Sequence, residues 1–108
     1  MTIDRPRYHF TPKKNWMNDP NGLFWQDGKY HLYFQHNPYG TRWGHMSWGH
    51  ATSSDLIHWE EHEVAILEDP MAQEAIFSGS AVVDTTDVLG AKNAVVAFYT
   101  AHTVSDAK

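Results

Sequence analysis

The stretch Lys29 to Gln35, KYHLYFQ, alternates strictly, with Tyr30, Leu32 and Phe34 on one side and His31, Tyr33 and Gln35 on the other. A period of two suits a pleated strand, because a helix would scatter the same side chains around its axis. Just ahead lies a short apolar run, Gly22 to Gln26 (GLFWQ), and the Asp27-Gly28 joint between the two favours positive φ and a tight turn. The two segments are predicted to pair as an antiparallel hairpin, Gly22–Gln26 with Lys29–His36.

Pro38, Gly40 and Gly44 then break the chain, and an extended pattern resumes over Met46 to Thr52. Ser53-Ser54-Asp55 carries the residue types that cap a single helical turn, with a fourth strand expected around Glu61 to Leu67. A second set of strands is predicted over Ile76–Val83 and Asn93–Thr100. No segment has a helical period. Four antiparallel strands followed by two more suit one blade and half of another in a β-propeller, whose blades are four-stranded sheets about a channel. A β-sandwich fits the same pattern, and no internal repeat selects between them.

With 108 residues, 42% apolar and 14% aromatic, the chain is expected to form one domain at most. Its net charge of −5, with eight Lys plus Arg and no basic run, gives no footprint for a nucleic-acid backbone. No run approaches the ~20 apolar residues of a membrane span, so no membrane partner is expected. The opening MTIDRPRYHF has no apolar signal core, which predicts a soluble, cytoplasmic protein. The absence of Cys removes disulfides, thiolate metal ligands and Cys nucleophiles.

The chemistry concentrates in His9-Phe-Thr-Pro12, four residues, then Met17-Asn18-Asp19-Pro20-Asn21-Gly22. This resembles glycoside hydrolase family 32, the invertases, levanases, inulinases and sucrose-6-phosphate hydrolases, whose N-terminal pattern runs His-x-x-Pro, four residues, an aliphatic residue and Asn-Asp-Pro-Asn-Gly. The resemblance continues through the Tyr30 to Gln35 strand, Trp43 to His50 (WGHMSWGH), Ser54 to Trp59 (SDLIHW) and Phe77 to Ala81 (FSGSA). An isolated Asp-Pro-Asn-Gly would be an ordinary surface turn with Trp16 in the core. Ordered matches along nearly the whole chain favour the family. The resemblance implies an all-β antiparallel fold: the first blade and part of the second blade of a five-bladed β-propeller. Residues 1–108 would then be the incomplete N-terminal part of a propeller catalytic domain, with no C-terminal β-sandwich.

The residues suit that chemistry. A retaining glycosidase presents a rigid carboxylate to an anomeric carbon, and Pro20 pushes Asp19 toward extended backbone while Gly22 lets the chain leave steeply. The resemblance makes Asp19 the nucleophile of a double displacement on a β-fructofuranosyl unit, just ahead of the first strand. Trp16 and Met17 are expected to wall the sugar pocket, and Asn18 and Asn21 to hydrogen-bond hydroxyls. Gln35, Trp43, Phe77 and Ser78 carry over as further sugar contacts. On their residue types alone Gln35 and Ser78 are equally strand polarity, and Trp43 and Phe77 are more often core. Arg-Asp-Pro and Glu-Cys, the family's other carboxylate motifs, are absent, so the catalytic set is incomplete. Nothing in the set asks for a metal or a cofactor.

Two other functions compete. The first is a non-catalytic fragment that binds sugar weakly at most. The second is a zinc protease, since His58-Trp-Glu-Glu-His62 matches the inverted zinc-protease pattern with His58 and His62 as ligands and Glu61 as base. That motif needs a helix where the sequence predicts extended chain. Most of the eight His are read as strand or loop polarity.

Overall fold

In the computed structural model, which describes residues 5–86 and 88–103, Asp27 and Gly28 turn the chain with φ of 54° and 81°. Positive φ at both positions gives the turn whose twist matches that of the flanking strands. It joins β1 (Trp16–Gln26) to β2 (Lys29–Asn37) antiparallel, with Gln26 opposite Lys29. β2 pairs with β3 (Ser47–Ser53), and β3 with β4 (Glu60–Glu61), giving a four-stranded sheet in chain order. β5 (Glu74–Asp84) and β6 (Ala94–Thr103) form a separate antiparallel pair. No helix occurs among the described residues.

The predicted hairpin forms, but β1 begins at Trp16 rather than Gly22, so Asp19 lies within a strand and not ahead of one. The helical turn after β3 is absent. Ser53 Oγ accepts the amides of Asp55 and Leu56, and Asp55 Oδ1 accepts those of Ile57 and His58. These side chains satisfy the backbone locally, leaving no need for helical bonds. The fourth strand is only two residues long. The chain touches β3 again through a bridge between Trp48 and Ile66.

Phe34, Trp48, Met46, Ala51 and Ile76 are buried at 4% exposure or less and form the core. Phe10 closes one face of the first sheet, its ring 4.8 Å from Phe34 and 5.8 Å from Trp59. β5 packs on the opposite face, where an ideal Cβ on Gly22 would sit 2.7 Å from that of Ala81. The same face carries a row of rings: His31 Nδ1 lies 3.1 Å from His50 Nε2, and the His50 ring lies 4.6 Å from Tyr33 and 5.0 Å from His62. His31 and His50 are half-buried packed groups rather than scattered strand polarity, and His62 ends the row exposed. Burial, then the neighbouring His62 and His31, lowers the His50 pKa to about 4.

Candidate active site

Proline has no N–H to give a ladder, and Asn-Asp-Pro-Asn-Gly cannot pair regularly with β2. The register shows the consequence. Met17 faces His36 and Pro20 faces Phe34, so Asn18 and Asp19 together oppose Gln35, and Asn21 is extra before Gly22 meets Tyr33. A second bulge interrupts β5, where Ile76 faces Ala101 and Gly79 faces Tyr99, leaving Phe77 and Ser78 opposite Thr100. Bulges bend a strand and re-aim its side chains, and these two face each other between the sheets. Ser78 Oγ donates to Asp19 Oδ2 at 2.7 Å across the gap.

The cavity between them is about 360 Å³, at the lower end of ligand pockets (~300–1,000 Å³). Asn18, Asp19, Gln35, Trp43, Phe77 and Ser78 line it, brought together from three strands and a loop. Asp19, Asn18 and Ser78 are exposed to it, and Asp19 is the one carboxylate among the described lining residues. Trp43, 58% exposed, meets Phe77 edge-on at 6.3 Å, and the His102 ring stacks on Phe77 at 4.6 Å. A carboxylate between a hydroxyl, amides and flat apolar walls suits a hydroxyl-rich ring with one electrophilic carbon.

Two sequence expectations fail here, and Gln35 takes on a second task. Trp16 and Met17 do not line the cavity: they pair regularly with Asn37 and His36, ahead of the bulge that carries Asn18 and Asp19. Asn21 is 6% exposed, its amide enclosed between Gln35 Oε1 at 2.9 Å and Trp48 Nε1 at 3.1 Å rather than open to solvent. Gln35 reaches the lining, yet at 3% exposure its Nε2 donates to the Ile76 carbonyl at 3.0 Å, so it ties the two sheets together. Sequence reasoning also missed Met46 and Thr100, which complete the lining, and His102 behind Phe77. The one local signal was Gly79, next to the bulge that selects Thr100.

The zinc-protease arrangement is not formed. Glu61 lies in a strand and accepts the Lys13 amide at 2.8 Å, while His62 Nε2 pairs with Thr52 Oγ1 at 2.6 Å. His58 Nδ1 pairs with Asp55 at 2.6 Å, and that bond, with the His58 and Ile57 amides, holds Asp55 well below the usual carboxylate range.

Residues 9–108 match the family model described as the glycosyl hydrolases family 32 N-terminal domain. The chain is 53% identical over 105 residues to an extracellular exo-inulinase of Aspergillus niger, an alignment covering 91% of this chain and 20% of that protein. It is 52% identical over 100 residues to a levanase of Bacillus subtilis, covering 89% and 14%. The structure of the β-fructofuranosidase of Schwanniomyces occidentalis complexed with fructosyl-erythritol superposes with a TM-score of 0.83 at 50% identity, over 92% of this chain and 21% of that one. The chain therefore spans about a fifth of the length of the exo-inulinase and the fructofuranosidase. In that architecture the sheet β1–β4 is the first blade and β5–β6 part of the second blade of a five-bladed β-propeller.

The match overturns the expectation of a cytoplasmic protein. The exo-inulinases of Aspergillus niger and Aspergillus awamori are extracellular proteins. A chain spanning a fifth of such a relative carries no information in its first residues about a leader.

Proposed function

Since the chain belongs to glycosyl hydrolase family 32, we propose that it forms the N-terminal part of the propeller catalytic domain of a β-fructofuranosidase and contributes that enzyme's nucleophile. The observation that carries this is the pair of facing bulges, which holds the Asp19 carboxylate in a sugar-sized cavity among Asn18, Trp43, Phe77 and Ser78.

Asp19 attacks the anomeric carbon of a β-linked fructofuranosyl unit, and the leaving sugar oxygen takes a proton from an acid supplied by the rest of the enzyme. Water, deprotonated by the same group, then attacks the fructosyl ester, restoring the Asp19 carboxylate and releasing fructose with retained configuration. Trp43 and Phe77 supply the flat walls, and Asn18 and Ser78 the hydrogen-bonding groups. The substrates are fructosides of the kinds after which the relatives are named, inulin and levan among them.

The test is Asp19→Asn in the full-length protein that carries this chain, assayed for fructose release from sucrose, inulin and levan. An amide cannot form the ester, so turnover should fall by about 10³-fold or more with the circular dichroism spectrum unchanged. Activity within about tenfold of the parent would mean that another group attacks.

A further inference from the structure

We propose that Trp48 and Gln35 are positioning residues, which from the first blade fix the bulge of the second and, through Ser78, the carboxylate of Asp19. The inference rests on the fructosidase reading of the site.

The residues entering the β5 bulge are held by the first sheet. Ile76 N–H donates to the Met46 carbonyl at 2.8 Å, and the Ile76 carbonyl accepts Gln35 Nε2 at 3.0 Å. The next carbonyl, that of Phe77, accepts Trp48 Nε1 at 3.0 Å. The next side chain, Ser78, reaches Asp19. Trp48 is fully buried, Met46 is 1% exposed, Gln35 3% and Ile76 4%, so the Gln35–Ile76 bond is shielded from water and costly to break; the Trp48–Phe77 bond is half-buried and the Ser78–Asp19 bond faces the cavity.

Trp48 has one polar atom, and it is aimed at the peptide whose rotation would carry Ser78 Oγ away from Asp19. The two strands of the first blade that carry Gln35 and Trp48 face each other in register at those two residues, so their donors reach consecutive carbonyls. Asn21, inside the β1 bulge, places its side-chain amide 2.9 Å from Gln35 Oε1 and 3.1 Å from Trp48 Nε1. One buried network therefore touches both bulges. A misplacement of about 1 Å in a positioned group can cost ~10²-fold in rate, which makes the anchoring of the Phe77–Ser78 peptide a catalytic matter as well as a structural one.

The experiment is a double-mutant cycle on kcat in the full-length protein, with fructose release from sucrose, inulin and levan as the readout. Trp48→Phe keeps an aromatic ring and deletes the donor; Ser78→Ala deletes the hydroxyl. Each should lower kcat by about tenfold with KM changed by less than about threefold, and the double variant should be no slower than Ser78→Ala alone. Multiplying losses, or a lower melting temperature with kcat unchanged in Trp48→Phe, would overturn the inference. Gln35→Met, close in volume and without the donor to Ile76, runs through the same cycle and decides the matter if Trp48→Phe does not fold. Asp19→Asn separates the levels: turnover retained there overturns both readings, whereas a dead Asp19→Asn with an additive cycle overturns the positioning role alone.

Discussion

Ser78 Oγ donates a 2.7 Å hydrogen bond to Asp19 Oδ2 although 59 positions separate them in the chain. The bond crosses from one sheet to the other, and each residue sits in a bulge of its own strand. A regular ladder at either place would send one of these side chains to the wrong face, since a shift of one residue inverts a strand's pattern. The carboxylate is therefore oriented by strand irregularities.

Gly79 should tolerate no side chain. A Cβ there would fall 1.7 Å from the Phe98 carbonyl oxygen and 3.0 Å from the Tyr99 Cα, both backbone atoms that no rotamer change can move. Gly79→Ala is expected to destabilise the protein by about 3 kcal/mol, read as a lower urea midpoint, and to lose activity as the neighbouring bulge shifts. An unchanged midpoint would show that the strand opens freely.

Trp43 should matter for binding more than for chemistry. It stands 58% exposed at the cavity edge, and no described hydrogen bond ties it to Asp19. Trp43→Ala is expected to raise KM about three- to tenfold with a smaller change in kcat, from steady-state kinetics on the full-length protein. A loss confined to kcat would place the ring in the reacting geometry.

Acid should weaken the histidine row. His50 titrates at 6.5 when unfolded and at about 4 when folded, so between those values the unfolded chain holds the extra proton. The stability it contributes is full above pH 6.5 and is lost as pH falls toward 4. Because the ring is only half-buried, a loss on the order of 1–2 kcal/mol is expected. Denaturant midpoints from pH 7.5 to 4 should fall less steeply in His50→Phe than in the parent.

Residues 1–108 expressed alone should release no fructose. A retaining glycosidase needs a second carboxyl roughly 5–5.5 Å from its nucleophile, and the described cavity lining offers Asp19 alone. Val82, Val95 and Phe98, at 52%, 39% and 59% exposure, leave apolar surface on the second sheet, so self-association is expected on size exclusion. A monomer with enzyme-like turnover would contradict both the missing acid and the open blade.

The hairpin was legible because its information is local. Period-two alternation from Lys29 to Gln35 and two residues suited to positive φ specify strand, turn and register together. The motif Asn18 to Gly22 pointed to Asp19 only through its resemblance to the family pattern, since alone it reads as a surface turn. The length of β1 was not legible. Asn-Asp-Pro-Asn-Gly resembles a turn by composition, and only pairing with β2 on both sides of it makes a bulged strand. That pairing took Trp16 and Met17 out of the site.

By itself the sequence determined extended antiparallel strands and the turn at Asp27-Gly28, both consequences of contacts between near neighbours in the chain, while the resemblance of its motifs pointed to Asp19 as the proposed nucleophile. Only the tertiary structure decided that Ser78 would face Asp19, that Thr100 and Met46 would complete the cavity, and that Gln35 would anchor the Ile76 carbonyl instead of standing free. Those outcomes depend on how β5 docks on β1 and where its register slips against β6. Such a slip arises from packing between strands far apart in sequence, and its one local trace is a glycine beside a serine.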